Sequence, residues 1–223
     1  MIEKQLLEHL LTFVTENKKV KMAKALESRT RHLSIIVEDV YQPHNASAVI
    51  RSCDCFGIQD LHIIENRNKY KLNPDVSLGS SKWVDIIRHN QNESNTLSCI
   101  NKLKGEGYKI IATTPHIKET PLENYDVTVK TALVLGNELE GLSQEAIDNA
   151  DGYLTIPMVG FTESLNISVT AAICMHYLTL RLHQSTIDWH LTEEERVEIQ
   201  LRWVKGIVNR SELITEEFYK SLK

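Results

Sequence analysis

Six apolar, β-rich runs recur through the middle of the chain. LSIIVEDV (33–40), LHIIE (61–65), WVDIIRH (83–89), YKIIATTP (108–115), TALVLGNE (131–138) and GYLTIPM (152–158) each read as a strand. Several are apolar without interruption, the pattern of strands covered on both faces. Helical patterns lie between them, at 45–56, about 93–104 and 143–149. This alternation leads to an α/β domain: a mostly parallel sheet with helices on both faces.

Helical patterns also flank this core. Ile2, Leu6, Leu10, Phe13 and Val14 form an apolar stripe at helical spacing, and a basic stretch follows. After the core, SLNISVTAAICMHYLTLRLH reads as a long helix from about Ser164. Thr192 with Glu195 three residues later is a capping box that opens a helix near Glu193, and Ser211 opens a last one. The expected organisation is a basic helical extension over 1–32, an α/β core over 33–183 and a C-terminal helical extension over 184–223.

No apolar run is long enough to span a membrane, and the first twenty residues lack a charged-then-apolar signal pattern, so a cytoplasmic protein is expected. Cys53, Cys55, Cys99 and Cys174 are scattered, with no second CxxC or His pair to complete a zinc set. Reduced core thiols are the expectation, with no metal; metal binding is the alternative. A net charge of −5 argues against a nucleic-acid partner, but its distribution is uneven. Residues 17–32 carry Lys18, Lys19, Lys21, Lys24, Arg29 and Arg31 against Glu27 alone, and RNKYK (67–71) forms a second basic cluster. Such runs either meet phosphates or form solvated faces.

Three segments carry unusual chemistry. In PHNASAVIRSCDCFGI (43–58), a short helix that Gly57 would end, Arg51 lies among apolar positions; its head must reach water or an anion. An Arg51–Asp54 pair at helical spacing is one outlet. In LGNELEGLS (135–143), a buried strand runs into Gly136, Glu138, Gly141 and a helix cap at Ser143. The glycines allow a sharp turn close to a ligand. In IPMVGFTESLNISVTAA (156–172), a strand passes through Pro157 into a loop. Ser164 can cap the next helix, whereas Asn166 lies among apolar residues where a cap does not explain it. No GxGxxG, Walker loop, GxSxG or HExxH is present.

In order and spacing, NASAVIR, GNELEG and IPM-x5-SLNISVTAA resemble the three motifs of the SpoU branch of the SPOUT RNA methyltransferases. The likeness spans about 33–181. SLGSSKWVDI (77–86) is similar to a segment of the tRNA (guanosine-2′-O-)methyltransferases within that branch. The resemblance implies methyl transfer from S-adenosylmethionine to a ribose 2′-hydroxyl without a metal, a C-terminal trefoil knot, and a homodimer. The implied substrate is tRNA, at the D-loop guanosine 18. Ribosomal RNA, another tRNA position, or a non-catalytic RNA-binding role are the alternatives. Carried over by position, Asn45 and Arg51 are catalytic. Arg51 would engage the phosphate beside the target ribose, as its planar fork suits. Leu135, Gly136, Asn137, Glu138, Gly141, Ile156, Met158, Ser164, Leu165 and Asn166 would hold the cofactor. The basic residues from Lys18 to Arg31 would hold RNA.

Overall fold

In the computed structural model, which describes residues 2–71, 73–115, 117 and 120–222, each apolar run becomes a strand of one sheet. The strands are β1 (Leu33–Glu38), β2 (Asp60–Ile64), β3 (Asp85–His89), β4 (Lys109–Thr113), β5 (Thr120–Pro121), β6 (Thr131–Leu135) and β7 (Gly152–Thr155). Their order is β3-β2-β1-β6-β4-β7-β5, and every pairing is parallel. The two-residue β5 had no signal in the sequence. It is too short to show a period and ends in Pro121, which suits an edge.

The central strands explain their own composition. All of β1 and β6 is buried, because helices cover both faces. Ile35, Val37, Leu61 and Leu133 face one core with Val49 and Ile50 of α3 (Pro43–Cys55) and Ala171, Met175 and Leu178 of a later helix. Ile36, Ile64, Ala132 and Val134 face the other, against Ile100 and Leu103 of α5 (Asn95–Gly105), which follows the one-turn α4 (Pro74–Ser77). Each Val, Leu, Ile or Met among them, fully buried, contributes about 1.5–3 kcal/mol. α6 (Gln144–Asp148) is capped by Ser143 as expected, its hydroxyl accepting from Ala146 N–H. α7 (Ile167–Gln184) starts three residues later than the sequence suggested.

The chain divides into two compact units, Thr30–Trp189 and a helical one made of Met1–Arg29 with His190–Lys223. In the helical unit, α1 (Ile2–Leu11) and α2 (Glu16–Glu27) pack with α8 (Glu193–Ile207), and α9 (Ser211–Ser221) completes it. The Thr192–Glu195 capping box is formed. Leu6, Leu10 and Val14 are buried, whereas Ile2 and Phe13 of the expected stripe are exposed. None of the described helices is long and apolar enough to cross a membrane.

Candidate active site

Because all strands run the same way, their carboxyl ends gather along one edge of the sheet, where open α/β sheets bind ligands. A cavity of about 480 Å³ opens there, walled by the loops after β4, β6 and β7 and by the start of α7. That volume lies within the roughly 300–1,000 Å³ of small-molecule clefts. Leu135, Gly136, Asn137, Glu138, Gly141, Ile156, Met158, Ser164, Leu165 and Asn166 all line it. Thr113, the last residue of β4, and Thr114 after it line it too. Sequence reasoning missed them, since YKIIATTP reads simply as a strand running into a proline.

The loop after β6 is closed on itself. Asn137 and Gly141 exchange backbone hydrogen bonds of 2.9 and 3.2 Å, and Asn137 Oδ1 accepts from the N–H groups of Leu139 and Glu140. Gly141 has φ +74°, which favours glycine. A Cβ on Gly136 would sit 2.2 Å from the Gly141 carbonyl carbon. The close approach that Gly136 permits is therefore to the chain's own backbone rather than to a ligand.

The three motif segments meet in one hydrogen-bonded chain. Glu138 accepts from Asn45 Nδ2 at 2.6 Å and from the backbone N–H groups of Tyr41 and Gln42 at 3.0 and 3.3 Å. Asn45 Oδ1 accepts in turn from Asn166 Nδ2 at 3.2 Å. Asn166 Oδ1 accepts from the backbone N–H and the hydroxyl of Ser168. Contrary to the sequence reading, Asn166 is itself the N-cap of α7, and Ser164 stands outside the helix along the cavity wall. One amide serves two ends: its oxygen caps the helix and its nitrogen reaches the buried Asn45. Burial opposes ionisation of Glu138, but the donors of Asn45, Tyr41, its own backbone and Gln42 prevail and hold its pKa below the usual carboxylate value.

Arg51 lies on the other face of α3. The helix buries Asn45, Ala46, Val49, Ile50 and Cys53, while Arg51 is exposed, about 200° around the axis from Val49. Its guanidinium has no hydrogen bond or ion pair among the described residues, so Asp54 is not its outlet; water is.

The basic stretch divides. Lys18, Lys21 and Lys24 are exposed, and Lys19 pairs with Glu16 at 2.6 Å. Arg29 and Arg31 depart from the expected RNA-binding role. Arg29 is 3% exposed with its guanidinium 5.3 Å from the Trp203 ring centroid. Arg31 is held by Asp60 at 3.2 Å and Asp85 at 3.1 Å. Both cations are taken up by their own fold.

Fold and site together define an α/β protein with a cavity of small-molecule size at the carboxyl edge of a parallel sheet. The chain belongs to the SpoU rRNA methylase family, whose model matches residues 32–176. It is 42% identical over 205 residues to a tRNA (guanosine(18)-2′-O)-methyltransferase of Borreliella burgdorferi, covering 92% of each chain. It is 31% identical over 211 residues to the enzyme of that name from Aquifex aeolicus, covering 94% of this chain and 89% of that one. The crystal structure of the A. aeolicus TrmH/SpoU tRNA modifying enzyme superposes with a TM-score of 0.77 over 87% of this chain and 98% of that one. At 22% identity, the SpoU methyltransferase AviRb from Streptomyces viridochromogenes, solved with AdoMet, shares the fold with a TM-score of 0.62, covering 73% of this chain and 65% of that one.

Proposed function

We propose that this protein is an S-adenosylmethionine-dependent tRNA 2′-O-methyltransferase acting on the D-loop guanosine 18. The observation that carries the reading is the Asn166–Asn45–Glu138 chain along the cavity, which ties all three motifs into one site. The relatives of that name, matched over nearly the whole chain, set the substrate. S-adenosylmethionine, when bound, supplies an electrophilic methyl group on a sulfonium. The cavity suits it: Leu135, Ile156, Met158 and Leu165 offer apolar walls, and Ser164, Asn166 and backbone groups offer polar ones.

The chain's own residues position the ribose. Asn45 is 3% exposed and held at both ends of its amide, so its place beside the cavity is fixed before substrate arrives. Arg51, unengaged and facing water, is free to grip the phosphate next to the target ribose through two parallel N–H donors. It cannot serve as a base, since a guanidinium offers only donors and no acceptor. Glu138 is a poor base as well: its pKa is lowered, and its two oxygens already accept from three other residues. Glu138 therefore acts as a scaffold for Asn45, and the role left to Arg51 is to hold the phosphate and so orient and polarise the neighbouring hydroxyl.

The protein is further proposed to be a cytoplasmic homodimer with the family's trefoil knot, working without a metal. Val159 and Phe161, fully exposed in the loop that walls the cavity, and Val169, Ile173 and Leu180, exposed on α7, supply the apolar surface such a dimer would cover. The helical unit, through Lys18, Lys21 and Lys24, is the proposed tRNA-binding arm. Mass spectrometry of tRNA and ribosomal RNA digests from cells with and without the protein tests the activity. Loss of 2′-O-methylguanosine from tRNA supports it, and loss from ribosomal RNA alone contradicts it.

A further inference from the structure

The second basic cluster, RNKYK, lies in a loop that the fold fastens at several points. Asp39, just past β1, has a left-handed φ of +49°, a strained backbone for a residue other than glycine. In that conformation its Oδ1 accepts from three successive backbone N–H groups, those of Asn66, Arg67 and Asn68, at 2.7, 2.9 and 3.2 Å. Asn68 Nδ2 returns a bond to the Asp39 carbonyl at 2.8 Å. Glu65 accepts from the Tyr70 backbone N–H, and its carboxylate is gripped by both Nε and an Nη of Arg88 at 2.8 Å. The Tyr70 ring packs onto the main core. Farther on, Asn73 N–H donates to Ser47 Oγ at 2.8 Å, and Ser47 belongs to the helix that carries Asn45 and Arg51.

These ties also place the loop beside the active site. Asp39 precedes by two and three residues the Tyr41 and Gln42 amides that bind Glu138. Arg67 pairs at 2.7 Å with Glu140 of the cavity-lining loop. Both partners are largely exposed, so this pair adds little stability and serves to mark proximity. Between the fastened points, Lys69 and Lys71 are exposed and have no ion pair or side-chain hydrogen bond among the described residues. Two unneutralised ammonium groups on an immobilised loop, next to a site that must receive a polyanion, need little ordering on binding.

We propose that Lys69 and Lys71 form a phosphate-binding station for the tRNA substrate, pre-positioned by Asp39 and Glu65 beside the Asn45–Glu138 site. The proposal rests on the methyltransferase reading above and adds where the backbone flanking the target nucleotide is held. Phosphate contacts orient the RNA without reading its sequence. Each contributes a slope of roughly 0.7–0.9 in log affinity against log salt.

The test measures binding of unmodified tRNA at several salt concentrations, with S-adenosylhomocysteine present. Lys69→Ala/Lys71→Ala should lower the slope by about 1.4–1.8, with S-adenosylhomocysteine affinity unchanged by calorimetry. Lys69→Arg/Lys71→Arg should restore the slope, since charge and not side-chain shape is required. An unchanged slope in the Ala variant, or an Arg variant as weak as the Ala one, overturns the assignment. If the slope is unchanged while the parent still methylates tRNA, only the station falls. If the parent transfers no methyl group to tRNA, the reading beneath it falls too.

Discussion

The three motif segments and the basic stretch from Lys18 to Arg31 both invite a functional reading, yet the fold treats them differently. The motif segments lie at strand ends of a parallel sheet, so topology forces them together, and Asn45, Glu138 and Asn166 meet within hydrogen-bonding distance. The basic residues have no such constraint. Arg29 lies over Trp203, Arg31 is bound by Asp60 and Asp85, and Lys18, Lys21 and Lys24 remain in solvent. Position along a strand–turn–helix unit predicts convergence, whereas a run of like charge predicts only that some of its members will be exposed.

The comparison is sharpest at Arg51, which is on a motif yet exposed like the lysines. Arg51→Ala should reduce methyl transfer roughly a hundredfold or more at saturating tRNA, the scale of losing one transition-state donor, while leaving S-adenosylhomocysteine affinity intact. Transfer within tenfold of the parent would place Arg51 with the solvated charges. Glu138→Ala should act through structure. It leaves Asn45 Nδ2 and two backbone N–H groups without their acceptor, at a cost of about 1.5–3 kcal/mol, and should weaken S-adenosylhomocysteine binding as well. Chemical denaturation and calorimetry on the same variant separate the two losses. A Glu138→Ala protein as stable as the parent would break the view that the motifs form one chain.

A buried group outside the motifs sets a baseline. His62 on β2 donates to or accepts from His89 at 3.0 Å, and its pKa is pushed down to about 3 by burial, then by His89 and by Lys102. An unfolded imidazole takes up its proton near pH 6.5, and the folded one only near 3. The unfolded state therefore binds more protons between these values, and stability falls as pH drops through that window, by at most about 1.4 kcal/mol per pH unit for this one group. His62→Gln should flatten the dependence of the urea midpoint on pH between about 6.5 and 4. An unaltered profile would mean that other groups govern acid sensitivity. The smallest effect is expected in the helical unit. Lys18→Ala/Lys21→Ala/Lys24→Ala should lower the salt slope of tRNA binding by at most about 2–3 and weaken all tRNAs alike. No change would leave these lysines as solvated charge.

Much of the fold was legible because β1 and β6 are buried on both faces, which favours apolar runs; Ser34 and Glu38 are accommodated there only through hydrogen bonds to Asp60, Thr96 and Ser143. The capping box at Thr192 was legible because it is local. What depended on distant partners was not. Asn166 looked out of place within an apolar helix because its partner, Asn45, is 121 residues away. Arg31 looked like a surface cation because Asp60 and Asp85 come from other strands. Asp39 ended an apolar strand without distinction, although its carboxylate holds the loop from Asn66 to Asn68.

Whether the site at the carboxyl edge of the sheet methylates a ribose in tRNA is decided by mapping the product. Purified protein is incubated with labelled S-adenosylmethionine and unmodified tRNA in the presence of EDTA, and nuclease fragments are then assigned by mass spectrometry. A single 2′-O-methylguanosine at position 18 is expected, formed at the same rate with and without the chelator. A methyl group on a base, transfer that needs a metal, or no transfer to tRNA would contradict it.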